Sequence, residues 1–416
     1  MNVARRSLVA ATALVALTLA ACSSSGAGSH SSAPGSNSSS PPLKLALIGP
    51  FSGSATASSE GGLPKILDAW AQATNKAGGI NGHNVQTVVM DIGSATDGGL
   101  TAVKSAITQD HVAAIVDFDT NDATWIPYAA QQSVPVIPGS AGLGSLLSDD
   151  VFPVLTSPLA LSYALVAEAK TYGTKVAIGY AAEIAGGEEE VTLSKTFGAG
   201  LGVNVVVASK LPSSAPDYTA FCQQVKQSGA TSYTLAFAAA TAKKITDQCY
   251  QQGVRIPQVL IGPAVPPSWI SDPAFKGDIA VDGVAPFFDT SVAGVAQYRS
   301  ALQQYEPSIT HSSFDTSGGA FAWAAAQMFT AGAKAATGTA PSDIQRGLFT
   351  VKNGTLGGLI APVSYTSGKT TTVDCWFTWQ MGSGALETGP SGTKPSCAPA
   401  ATLAVIEQAV LKQLGK

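Results

Sequence analysis

Residues Ala114–Gly139 read "AIVDFDTNDATWIPYAAQQSVPVIPG": a β-branched run, a polar loop, an amphipathic stretch ending in Gln131 and Gln132, then a second short apolar run. The same order returns at Tyr233–Pro263, "YTLAFAAATAKKITDQCYQQGVRIPQVLIGP". Each copy spells strand, loop, helix, turn, strand. The period is far longer than a solenoid unit, so the recurrence signals two similar lobes and not an array of repeats.

Outward from the first copy the alternation continues. Upstream, "LKLALIGP" (Leu43–Pro50) reads as a strand and "LPKILDAWAQATNKAGG" (Leu63–Gly79) as a helix stopped by its two glycines. "VQTVVMD" (Val85–Asp91) is a strand and "DGGLTAVKSAITQD" (Asp97–Asp110) a helix. Between the copies the spacing predicts helices over 159–173, 187–202 and 217–229, with strands over 175–181 and 203–210. Glu188, Glu189 and Glu190 fall in the first turn of the second of these helices, where the helix dipole favours them. Buried strands separated by helices define an α/β class with parallel, doubly wound sheets. After Gly283 the text changes to Ala-rich helices (292–305 and 317–336) and a β-rich end near Leu359–Trp379. Trp70, Trp125 and Trp323 lie on helix patterns and read as core.

The N-terminus assigns a compartment. Arg5 and Arg6 precede "SLVAATALVALTLAA", an apolar run too short for an ordinary membrane span, which ends in "LAAC" at Cys22. This resembles a bacterial lipobox: residues 1–21 as signal peptide and Cys22 as the lipidated first residue. Ser23–Pro42 is Ser-rich with almost nothing to bury, a flexible tether. The expected location is extracytoplasmic, lipid-anchored to the outer face of the cell membrane. Roughly 375 residues follow the tether, enough for two lobes.

Composition narrows the chemistry. The net charge is −4 and no Lys/Arg cluster occurs, which argues against nucleic acid as a partner. Beyond Cys22 four cysteines remain, an even number that suggests two disulfides in an exported chain. Proximity favours Cys222–Cys249 and Cys375–Cys397. No C-x-x-C occurs and the four histidines are scattered, so no metal site is expected. The "DFDTND" stretch from Asp117 departs from a calcium loop at its sixth position, Asp122 for Gly, and at its twelfth, Tyr128 for Glu. There is no G-x-G-x-x-G after the first strand, no G-x-S-x-G elbow and no phosphate loop, so neither enzymatic activity nor a cofactor is expected.

In open parallel sheets ligands bind outside the carboxyl ends of the strands. Six small, polar loops occupy such ends, beginning at Gly49, Asp117, Pro138, Tyr180, Ala236 and Ile261. "LKLALIGPFSG", followed by "NKAGGINGHNVQTVVMD", "VAAIVDF" and "VPVIPGSAG", resembles the substrate-binding proteins of branched-chain amino acid ABC transporters, the leucine/isoleucine/valine-binding group. The resemblance runs from Leu43 to about Trp379. It implies the type I periplasmic-binding architecture: two Rossmann-like lobes joined by a three-crossing hinge that closes on a ligand. The crossings are expected near Thr156, Pro286 and Ala340. Lobe 1 is then 43–157 plus 286–340, lobe 2 is 158–285 plus 341–399, and 400–416 is a C-terminal helix or tail.

The resemblance also carries ligand positions. Its hydroxyl position at the third strand falls on Thr120 and Asn121, and its carboxylate-holding loop on Gly139, Ser140 and Ala141. Its tyrosines fall on Ser58 and on Ile184 or Ala185, its aromatic pair on Ala238 and Ala239, and its ammonium-pairing acid on Ala264. Asp119 and Glu183 are candidates for a relocated ammonium partner, and Phe51, Ser52 and Phe237 for contacts at the loop edges. The missing acid and the alanines point to a ligand larger or less zwitterionic than a branched-chain amino acid. The implied function is capture of a small polar organic ligand, an amino acid or related compound, by a monomer that delivers it to an ABC permease. The alternative is a ligand-sensing lipoprotein that signals through a separate membrane partner.

Overall fold

The computed structural model describes residues 40–413 except 55, 56, 96, 141, 184 and 185, with backbone alone at 58, 143, 145, 311 and 413. The expected signal peptide, Cys22, the tether up to residue 39, and the candidate contacts Ala141, Ile184 and Ala185 lie outside the described residues.

The first sheet is built from β1 (Leu43–Gly49), β2 (Val85–Asp91), β3 (Ala114–Asp117) and β4 (Val136–Pro138), in the order β2-β1-β3-β4 and parallel throughout. β1 is central, which is why "LALI" is apolar without alternation. Its Leu45 and Leu47 face one core and Ala46 and Ile48 another, so helices cover both faces. Helix α1 (Ala57–Glu60) and α2 (Leu63–Lys76) follow β1, α3 (Gly98–Thr108) follows β2, and α4 (Ile126–Gln131) follows β3. α2 ends as its glycines predict. Gly78 takes φ +98°, its N–H donates to the Asn75 carbonyl, and the Gly79 N–H reaches back to Thr74 at 2.9 Å. The expected helix over 122–132 is shorter than its sequence pattern. Asp122–Thr124 forms a 3-10 turn, and α4 starts afresh with Pro127 in its first turn.

The second sheet takes α5 (Pro158–Ala169), β5 (Lys175–Ala181), α6 (Gly187–Leu201), β6 (Asn204–Leu211), α7 (Thr219–Ser228), β7 (Ser232–Ala236), α8 (Ala239–Gln251), β8 (Val259–Ile261) and β9 (Ile279–Asp282). β6-β5-β7 is parallel, β7 meets β8 through a single bridge at Tyr233 and Gln258, and β8 runs parallel to β9. Val176 and Ile178 of β5 pack with α5 and α6, while Ala177 and Ala181 join the core that holds Phe221 and Ile245 of α7 and α8.

The remaining elements are α9 (Ala293–Tyr305), α10 (Ser317–Ala335), α11 (Pro341–Leu348), β10 (Cys375–Met381), β11 (Leu386–Thr388), β12 (Ser396–Cys397) and α12 (Ala400–Gln413). α9 and α10 pack on α2, and β10 adds antiparallel to β9. The chain runs between the two sheets along adjacent segments. Ser157 N–H donates to Val373 O, Thr156 Oγ1 to Cys375 O, and Ala285 N–H to Leu359 O, each at 2.8 Å. The sequence reading puts the last crossing near Ala340. Instead α11 lies on α10, with Gly347 so close to the Gly332 backbone that a Cβ would overlap its carbonyl oxygen, and the strand entering the second sheet begins at Cys375. Residues after Pro399 form α12, whose Leu403 buries against the α5 side of the second sheet.

Both disulfides join the nearer cysteines: Cys222–Cys249 ties α7 to α8, and Cys375–Cys397 ties β10 to β12. The first closes a loop of 27 residues between two buried side chains. Cross-linking of that length constrains the unfolded chain by about 3 kcal/mol. Replacing both residues, Cys222→Ala with Cys249→Ala, is expected to lower the unfolding free energy by at least about that amount; urea titration followed by circular dichroism measures it.

Candidate ligand-binding site

The carboxyl ends of the two sheets face a common cavity of about 320 Å³. From the first sheet come Ser59, Glu60 and Leu63 at the α1–α2 junction, Phe118 after β3, and Gly139 and Ser140 after β4. The second sheet contributes Ala236 to Ala239 where β7 turns into α8, Pro263 and Ala264 after β8, and Val281 and Asp282 at the end of β9. Leu155, Thr156 and Gly283 of the connecting segments close one side, with Gly318 and Phe321 from the start of α10.

Local packing explains this lining. Phe118 is buried because Gly49 and Gly139 leave room for its ring; a Cβ on Gly139 would overlap Phe118 Cε2. Asp282 is 1 % exposed. Its Oδ2 accepts from Trp379 Nε1 at 2.8 Å and lies against Gly262, where a Cβ would overlap it. The Trp379 ring is held edge-on by Phe287 and Phe288. Burial pushes the Asp282 carboxyl up to about 6, against the opposing pull of the Trp379 and Val284 donors. Ser140 presents a buried hydroxyl with no hydrogen-bond partner among the described residues. Of the described lining residues two are acidic, Glu60 and Asp282, and none is basic.

Of the residues singled out from the sequence, Gly139, Ser140, Phe237, Ala238, Ala239 and Ala264 line the cavity. Ser58 lies in α1 beside the lining residues Ser59 and Glu60. The others stand elsewhere. Phe51 is buried against Gly49 in the core, and its N–H and that of Ser52 donate to Asp91 Oδ1. Asp119 turns inward, accepting from Trp125 Nε1 at 2.9 Å and from Asn121 N–H at 2.9 Å. Thr120 and Asn121 are exposed outside the lining. Glu183 is exposed and braces the loop after β6, accepting from Ser213 N–H at 3.0 Å and Ser213 Oγ at 2.9 Å. Sequence reasoning passed over Glu60, Phe118, Asp282 and Phe321. Asp282 alone left a trace, an acid ending an apolar strand at "IAVDG".

The acids of "DFDTND" form a frame behind the cavity. Asp117 Oδ1 accepts from Asp119 N–H at 2.8 Å, and Asp122 accepts from Gly144 N–H at 3.1 Å. Among the described residues no group of three or more His, Cys, Asp or Glu is placed to hold a metal, and no helix is long and apolar enough to cross a membrane.

A cavity between the strand ends of two sheets, lined by residues from both, is the arrangement of a small-molecule binding site. The chain belongs to the periplasmic binding protein family, whose profile matches residues 42–385. Membership makes it a binding protein and not an enzyme. The fold is similar to a branched-chain amino acid ABC transporter protein from Thermus thermophilus with bound valine, at 16% identity over 88% of this chain and 98% of that one, TM-score 0.74. It is also similar to an extracellular ligand-binding receptor from Verminephrobacter eiseniae, at 17% identity over 83% and 99%, TM-score 0.71. A third is a solute-binding protein of an ABC transporter from Rhodopseudomonas palustris in complex with p-hydroxybenzoic acid, at 19% identity over 86% and 97%, TM-score 0.69. At these identities the likeness carries the fold. No curated protein matches the sequence.

Four buried aspartates hold their protons above the ordinary carboxyl range, chiefly through burial: Asp117 and Asp278 well above it, Asp122 up to about 7 and Asp282 up to about 6. Between the ordinary range and these values the native state binds more protons than the unfolded chain, so stability is lost as pH rises. Carboxyls with lowered values, such as Asp91 and Asp272, lose their contribution only at lower pH, outside that window. The melting temperature is therefore expected to fall by a few degrees between pH 5 and pH 8, and Asp122→Asn to flatten the slope; thermal unfolding followed by circular dichroism across that range measures both.

Proposed function

We propose that this chain is an extracytoplasmic solute-binding lipoprotein that captures a small organic ligand between its lobes and delivers it to an ABC importer. The observation that carries the reading is the cavity lined from both sheets and from the connecting segments between them. The lobes of this reading centre on the first sheet with α9 to α11, and on the second sheet with β10 to β12. Closure of one upon the other needs ligand contacts made only in the closed form, since a ligand shifts the hinge equilibrium only by its differential affinity. Relatives whose structures hold valine or p-hydroxybenzoic acid support a ligand of amino-acid or aromatic-acid size. The lipobox-like "LAAC" supports anchoring through Cys22 with the Ser-rich segment as spacer, and a monomer suffices for capture. Work at the cavity is binding alone; transport chemistry belongs to the ATPase of the importer.

A thermal-shift screen of the purified chain against amino acids, amides, aromatic acids, amines and polyols is expected to yield one stabilising class. X-ray scattering with that ligand is expected to show a smaller radius of gyration. Ala238→Trp fills the cavity and is expected to abolish the shift while the unliganded melting temperature stays within a few degrees. Retention of full binding by Ala238→Trp, or no stabilisation by any class, refutes capture in this cavity.

A further inference from the structure

Resting on the capture reading above, we infer that the ligand is an organic cation: a protonated amine on an apolar body, without a carboxylate, its ammonium set against Asp282. The charge inventory carries the inference. Glu60 and Asp282 line the cavity, and no lysine, arginine or histidine stands among its described lining residues. An anionic ligand would meet two acidic side chains in a largely apolar space, with no side-chain cation among the described lining residues to offset its desolvation.

Asp282 is placed to meet a cation there. Its carboxylate accepts from neutral donors, Trp379 Nε1 at 2.8 Å and Val284 N–H at 3.4 Å, with Ser317 close by. Ser317 opens the 19-residue helix α10, whose N-terminal end favours negative charge. None of these donors carries a charge, so a ligand ammonium is the countercharge that would hold this buried carboxyl ionised. The three aromatic rings of the lining, Phe118, Phe237 and Phe321, offer an apolar surface to the ligand body and attract a cation near their faces. Free N–H groups in the first turn of α8, beside Ala238 and Ala239, meet a hydroxyl or carbonyl on the same ligand without need of a formal anion. The acid that the sequence comparison looked for at Ala264 is thus supplied from the neighbouring strand.

The test uses a matched set on the full chain: phenethylamine and isoamylamine, the acids 3-phenylpropionate and isovalerate, and the zwitterions phenylalanine and leucine, titrated by calorimetry and tryptophan fluorescence. The amines are expected to bind at least about tenfold more tightly than the acid or zwitterion of the same body. Asp282→Asn is expected to weaken amine binding by about tenfold or more, and Glu60→Gln, which leaves the Trp379 contact intact, to weaken it less. Tighter binding of an acid or zwitterion overturns the charge assignment and leaves capture in the cavity standing. Unchanged amine binding by both folded variants overturns it as well. If none of the six compounds binds, the assignment fails, and capture itself is then decided by the broader screen.

Discussion

The buried carboxylate of Asp282 is the point on which the cavity depends. It ends β9, accepts the indole N–H of Trp379 from β10, and lies on the backbone of Gly262 after β8. Three strands of the second sheet are therefore joined at one oxygen. The same residue stands next to Gly283, where the chain turns toward the first sheet and packs on Leu155 and Phe321. Removing a partner from such a bond leaves a buried charge unsatisfied, which costs far more than the bond contributes in the intact protein. The base of the cavity is held by this bond, while most of its walls are small or apolar side chains.

The first sheet solves the same problem in a parallel way. Asp119 follows β3 and accepts the indole N–H of Trp125 at 2.9 Å, with Gly99 leaving space for the carboxylate. Each sheet thus carries an aspartate at or just beyond a strand end, held by a tryptophan from a later element. The difference lies in what surrounds them. Asp119 is enclosed by α3 and the 3-10 turn, whereas Asp282 opens onto the cavity. An acid cluster conspicuous in the sequence is structural framing, and two inconspicuous acids, Glu60 and Asp282, line the cavity.

The α/β alternation, the doubled strand–loop–helix–strand pattern and both disulfide pairs were legible because each rests on local periodicity or short separation. The loops at the carboxyl ends of β4, β7 and β8 were legible for the same reason, and Gly139, Ser140, Phe237 and Ala238 line the cavity as placed. Asp282 and Trp379 were not, since they are separated by 97 residues and meet only through β9–β10 pairing. Thr120 and Asn121 were placed by the resemblance at the end of the third strand; the inward turn of Asp119 to Trp125 accompanies their exposure to solvent. The last crossing, which the resemblance puts near Ala340, does not fall there, because Pro341 belongs to a helix. It is the start of α11, kept on α10 by a glycine-to-glycine contact invisible to periodicity.

These placements bear on how the cavity selects. Transferring a relative's contacts position by position puts alanines where it has an acid and aromatics, and so predicts an empty, weakly polar pocket. The folded chain restores an acid from β9 and aromatics from the loop after β3 and from α10, at points that no linear alignment of loops brings together. A pocket rebuilt from different elements keeps its location in the fold, because strand ends and helix N-termini still converge there, but it does not keep the relative's arrangement of charges. Which side chains reach the cavity wall is therefore a property of tertiary packing and not of the loop sequences.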